Sequence, residues 1–268
     1  MFYFGTNLKM YGTPAETAAF VEAVERGLEH QSELQCFVLP PFTSLPTLAP
    51  ALERTPKPSH LWLGAQTMHW ADEGAYTGEI SPLMLKALDV DLVMVGHAER
   101  RRGGETDAVV RKKVSSALRH GFRVLLCVGE TRAQKERGTG AAAVSAQLDT
   151  ALRGVFADDR VADGRAADRV MVAYEPVWAI GAAGREADAA EVQAMLKTLR
   201  DTLNALFGPR HVPILYGGSV TEANCAAYAR LSEVDGLFVG RAARRADGFL
   251  RVLAAALEAR SLVTGRVQ

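Results

Sequence analysis

The chain has no apolar run of about eighteen residues, the least that spans a bilayer as a helix, so no transmembrane helix is expected. It has no excess of either charge: Lys+Arg and Asp+Glu are 31 each. That balance argues against a basic face for nucleic acid or an acidic membrane surface. Cysteine is scarce. Cys36, Cys127 and Cys225 are an odd number and lack the spacing of a metal site or a disulfide framework. They read as reduced thiols in a cytoplasmic protein. The opening segment, MFYFGTNLKM, lacks a basic start, a long apolar stretch and a small-residue cleavage site, so it is not expected to be a signal peptide. No internal repeat or domain linker stands out. The first apolar run is followed by GTNLKM, which is no glycine-rich dinucleotide fingerprint.

What is present is ordinary globular composition, 48% hydrophobic and 23% charged over 268 residues. Short apolar runs alternate with longer helical patterns. Eight runs read as strands: Phe2–Thr6, Cys36–Leu39, Leu61–Ala65, Leu92–Val95, Val124–Val128, Val170–Tyr174, Ile214–Tyr216 and Leu237–Val239. Most are apolar without alternation, as in a parallel sheet covered on both faces. The clearest helix is 188–207, where Val192, Met195, Leu196, Leu199, Leu203, Leu206 and Phe207 recur at helical spacing. Asp188 with Glu191 forms a capping pair at its start, and Gly208-Pro209 ends it. The polar, alanine-rich stretch 153–169 reads as an extended, exposed connection. Eight β–α steps in a chain of this length predict a single-domain (β/α)₈ barrel over 1–268. The alternative is an open doubly wound sheet, which the missing fingerprint disfavours.

In such a barrel the loops after the strands build the site. There the sequence places Asn7 and Lys9 after the first strand, and His97, Glu99 and Arg100 after the fourth. Cys127 and Glu130 come at the fifth and Glu175 after the sixth. The seventh and eighth lead into YGGSV and VGRAA, small residues with free backbone N–H groups. Taken singly, a lysine is a solvated charge, a histidine a structural hydrogen-bonder, GGS a turn, and Glu99 with Arg100 a structural ion pair at the rim. The weight comes from the set. VMVAYEPVWAIG, 170–181, is the sharpest member: a buried strand ends on a carboxylate, with proline, tryptophan and glycine behind it. Burying an unpaired carboxylate is expensive, so such an end marks a site.

The motifs NLKM (7–10), GAQ (64–66), GAYTGEISP (74–82), GHAERR (96–101), CVGE (127–130), YEPVWAIG (174–181), YGGSV (216–220) and DGLFVG (235–240) together resemble the triosephosphate isomerase family over nearly the whole chain. The resemblance implies a cofactor-free and metal-free isomerase of a phosphorylated three-carbon sugar, assembled as a homodimer. It implies Glu175 as the base and neutral His97 as the electrophile, with Lys9, assisted by Asn7, holding the enediolate charge. Gly181, Ser219, Gly240 and Arg241 would meet the phosphate. Pro176 to Gly181 resemble the start of a closing lid, with Trp178 as its anchor and Glu130 as its latch. Residues 67–79 resemble the dimer loop, with Thr77 buttressing Asn7 and Lys9 across the interface. Met68, Trp70 and Tyr76 argue that this loop is covered.

The pattern is broken at a few places. Leu8 stands where tryptophan is usual, Ala98 where serine is usual, and the lid reads AIGAAGREA (179–187). Arg241 replaces a phosphate-loop glycine and adds a cation near the site. MHWAD (68–72) and Gly240-Arg241 resemble a bacterial branch that isomerises four-carbon erythrulose phosphates. Whole-chain resemblance puts the three-carbon substrate first and the four-carbon one second. A non-catalytic phosphosugar-binding barrel would be expected to have lost Lys9, His97 or Glu175, and all three are present.

Overall fold

A computed structural model describes residues 1–28, 33–52, 60–155, 166–180 and 185–264. Eight strands form a closed barrel: β1 (Phe2–Asn7), β2 (Leu34–Leu39), β3 (Leu61–Ala65), β4 (Leu92–Val95), β5 (Arg123–Val128), β6 (Val170–Tyr174), β7 (Ile214–Tyr216) and β8 (Gly236–Val239). Every neighbouring pair is parallel. The ring closes where β1 pairs β8, from Tyr3↔Gly236 to Thr6↔Val239. β2 starts two residues earlier than its apolar run suggests, at Leu34. Helices separate most of the strands in sequence.

Two apolar layers explain why the strands do not alternate. Inside the barrel lie Leu92 and Met94 of β4, Leu125 and Cys127 of β5, and Met171 and Ala173 of β6. The intervening Val93, Val124, Leu126, Val170 and Val172 face outward into the layer shared with the helices. Side chains of period two therefore find apolar surroundings on both faces.

The phase of that alternation places the site. Counting two residues on from Ala173, Leu215 and Phe238 in the interior gives Glu175, Gly217 and Gly240. Asn7 sits in the same phase as Tyr3, which packs on the interior cluster. All four positions are one pleat above the packed interior, at the C-terminal mouth, and all four line one cavity.

The helix expected at 188–207 runs Ala189–Phe207. Asp188 caps it, accepting from the N–H groups of Ala190 at 2.8 Å and Glu191 at 3.4 Å. The reciprocal half of the capping pair is absent. Glu191 instead takes Lys135 Nζ at 2.6 Å, a partner 56 residues away. Gly208 ends the helix with φ of 66°, a conformation that suits a residue without Cβ. Val192, Leu196, Leu199 and Leu203 are its buried face. In the stretch 153–169 the described end, Ala166–Arg169, is a 3₁₀ turn rather than extended chain, and 156–165 lie outside the described residues. Among the described residues, no helix is long and apolar enough to cross a membrane.

Candidate active site

A cavity of about 550 Å³ opens at the barrel mouth, lined by Asn7, Lys9, His97, Glu99 and Glu175 on one side. Gly217, Gly218, Ser219, Gly240 and Arg241 line the other. The structure thus brings together the ends of β1, β4, β6, β7 and β8, as the sequence expects.

Lys9 sits in a left-handed turn, φ 55°, a cost of order 1–3 kcal/mol for a residue with a Cβ. Neighbours hold it there. Asn7 Oδ1 accepts from the Lys9 N–H at 2.8 Å, and Gln66 Nε2 donates to the Lys9 carbonyl at 2.8 Å. Asn7 thereby acts on the backbone that aims the lysine. The Lys9 ammonium meets Glu99 Oε1 at 2.6 Å. This corrects the rim pair expected from the sequence: Glu99 pairs with Lys9 across the cavity wall, not with Arg100 beside it. Burial works to raise the Glu99 carboxyl, but the hydrogen bond and charge of Lys9, with the charge of Arg102, leave it below its ordinary value.

His97 is the N-cap of the short helix Ala98–Arg102. Its Nδ1 accepts from the Glu99 N–H at 3.2 Å. A ring nitrogen that accepts carries no proton, so the proton of the neutral ring is on Nε2. Nε2 lies 3.4 Å from Glu175 Oε1, and both side chains are about nineteen-twentieths buried. The Glu175 N–H donates to Val128 O at 2.8 Å, which fixes the backbone. The other carboxylate oxygen, Oε2, is buried without a hydrogen-bond partner. Gly129 makes this approach of chains possible, because a Cβ there would stand 1.9 Å from the Glu175 carbonyl oxygen. Cys127 is in β5 itself, inside the barrel, rather than in the loop. Burial first, and the charge of Glu175 second, push its thiol well above the ordinary value, so it stays a neutral neighbour of Glu175.

The segment after Glu175 is tied down. Val177–Ala179 form one 3₁₀ turn behind Pro176. Trp178 Nε1 donates to Glu130 Oε1 at 2.6 Å, and the Tyr174 hydroxyl donates to the same carboxylate at 3.2 Å. Lys135 covers the Trp178 ring at 3.6 Å. Ser219 Oγ donates to Ala179 O at 2.6 Å, and Tyr228 OH to Ala187 O at 2.7 Å. Both ends of the 179–187 segment are therefore anchored to the barrel. Gly181 lies outside the described residues.

The dimer-loop expectation needs one correction. Met68 is fully buried in its own barrel, and His69 is stacked on Trp70 and Tyr76 at 4.0 Å each. The loop covers most of its apolar surface by itself, which alternating sequence positions could not reveal. Tyr76 and Thr77 remain exposed. Tyr11 and Arg244 also line the cavity, and sequence reading did not single them out. Among the described residues, no group of three or more His, Cys, Asp or Glu side chains is placed to hold a metal ion.

A family profile described as triosephosphate isomerase matches residues 2–256. The chain belongs to the triosephosphate isomerase family. As a member of the triosephosphate isomerase family it is an isomerase on a (β/α)₈ barrel. It is 42% identical to an L-erythrulose-1-phosphate isomerase of Mesorhizobium japonicum, over 94% of this chain and 96% of that protein. It is 41% identical to a triosephosphate isomerase of Thermoanaerobacter pseudethanolicus, over 92% of this chain and 96% of that one. A solved triosephosphate isomerase from Bartonella henselae superposes with a TM-score of 0.81 at 30% identity, covering 95% of this chain and 98% of that one.

Proposed function

We propose that this isomerase moves the carbonyl of a short phosphorylated ketose by one carbon through an enediolate, and that L-erythrulose 1-phosphate is its preferred substrate. The observation that carries the reaction is the buried Glu175 carboxylate, its Oε1 3.4 Å from His97 Nε2 and its Oε2 without a hydrogen-bond partner. In the erythrulose phosphate, Glu175 takes the proton from C3, and the electron pair forms the C2–C3 enediolate. His97 gives its Nε2 proton to O2 and recovers one from O3. Glu175 then returns its proton to C2. The carbonyl has moved to C3, the product is again a ketose, and no redox partner is consumed. The Lys9 ammonium stabilises the negative oxygen, because a preorganised charge in a water-poor site acts more strongly than water. Glu99 keeps that ammonium in place between turnovers.

The four-carbon substrate is supported by several relatives of that printed activity at 39–42% identity and by Arg241 at the cavity wall. The three-carbon exchange of dihydroxyacetone phosphate and glyceraldehyde 3-phosphate is the second reading, favoured by a triosephosphate isomerase at 41%. It needs the same steps with a hydrogen in place of the C4 hydroxymethyl group. The test is kcat/KM for L-erythrulose 1-phosphate against glyceraldehyde 3-phosphate on the purified protein. A ratio above about ten, or 1.4 kcal/mol, supports the four-carbon reading; the inverse ratio assigns the triose phosphate.

We further propose a cytoplasmic homodimer joined through 67–79. Tyr76 and Tyr11 are about half exposed and Met10 almost fully so, which gives a second copy apolar surface to cover. Thr77 would then reach Asn7 and Lys9 of that copy. Light scattering at micromolar concentration is expected to give twice the chain mass; a fully active monomer would refute the assembly.

A further inference from the structure

The cavity wall carries more positive charge than proton transfer uses. Lys9 is matched by Glu99, and Glu175 is the base. Arg241 and Arg244 remain, both on the stretch after β8 and both lining the cavity. Nearby Arg245 and Arg251 each pair with Asp247, at 3.2 and 3.1 Å. Among the described residues, neither cavity arginine has a carboxylate partner.

Arg244 is nevertheless held. Its Cζ lies 4.3 Å from the centre of the Tyr11 ring, which reaches over from the loop after β1. A guanidinium held over a ring still has N–H donors to offer, and those donors match the oxygens of a phosphate. The backbone below them is open: a Cβ built on Gly240 would meet nothing within 4 Å. An anion can therefore approach the main chain at Gly240, in the cavity that both arginines line.

We propose that Arg244, carried on the Tyr11 ring, is a specificity-determining side chain that grips the substrate's phosphate at the cavity mouth, with Arg241 beside it. The proposal rests on the phosphosugar reading and deepens it. Main-chain N–H groups offer partial charges to any anion, whereas a full positive charge at fixed height favours the dianionic phosphate end of the sugar over its hydroxyl end. It also sets the direction in which the sugar enters.

Inorganic phosphate is the probe, measured by calorimetry and as a competitive inhibitor, at constant ionic strength kept with chloride. Arg244→Gln is expected to weaken phosphate binding by about tenfold or more, the change expected for one lost charge-assisted hydrogen bond. Arg244→Lys should recover part of the loss, and Tyr11→Ala should fall between, because it removes the support and not the charge. Arg245→Gln, outside the cavity, is the control. Phosphate binding by Arg244→Gln within about twofold of the parent would overturn the proposal, even if phosphosugars are turned over normally. Arg244-dependent phosphate binding without turnover of either phosphosugar would sink the functional reading and leave this one standing.

Discussion

Glu175→Gln is expected to lower turnover by roughly two to four decades, the usual contribution of a positioned general base. Glutamine keeps the volume and leaves an acceptor oxygen facing His97 Nε2, so the cavity keeps its shape. What it loses is the lone pair that can take a proton from carbon. The same change should leave the fold as stable or more so. The parent buries a carboxylate oxygen with no partner, and removing that charge removes a desolvation cost. Steady-state kinetics and a thermal melt on one preparation check both halves. Turnover within about threefold of the parent would remove Glu175 from the role of base. A collapse of the melt would mean that the loss of activity reported unfolding instead.

The second large effect lies outside the cavity. Lys113 and Glu105 form an ion pair with each side chain only 3% exposed. Lys113 Nζ also donates to Thr67 Oγ1 at 2.9 Å, at the root of the 67–79 loop. Lys113→Met keeps the apolar stem but strands the Glu105 carboxylate, whose Oε2 already lacks a partner. Breaking such a pair from one side costs about 3–5 kcal/mol. Urea denaturation should show that loss, and the double variant Lys113→Met, Glu105→Leu should recover most of it. If Lys113→Met alone costs less than about 1 kcal/mol, the pair is solvated in a way its burial does not suggest.

These effects also explain why the site is built as it is. Glu175 is buried with one carboxylate oxygen unpartnered, at a cost in stability. The cation is held in a left-handed turn by Asn7 and Gln66, at a further cost. Both are tolerated because the barrel beneath them is packed on two faces, inside and out. Trp178 and Glu130 then anchor the chain just beyond Glu175, which limits how far that carboxylate can move.

The order of strands, the barrel and which polar side chains stand at the strand ends were legible from residue order alone. Apolar runs without alternation require cover on both faces, and eight of them with helices between leave few ways to find it. Glu175 stood out for the same reason: a charge at the end of a buried run needs an explanation. Partners were not legible. Lys9 and Glu99 are 90 positions apart and meet only because the closed barrel brings the ends of β1 and β4 to the same mouth. Glu191 reads as a local cap and finds Lys135 instead. Met68 reads as part of a loop covered by a second copy and is buried in its own barrel instead. Arg244 reads as one more basic residue before a helix, and gains its place in the cavity from a tyrosine on a different loop. Periodicity acts between near neighbours along the chain and carries the elements. Pairing across the barrel mouth depends on closure and on which pleat each loop leaves, and no local pattern encodes that distance.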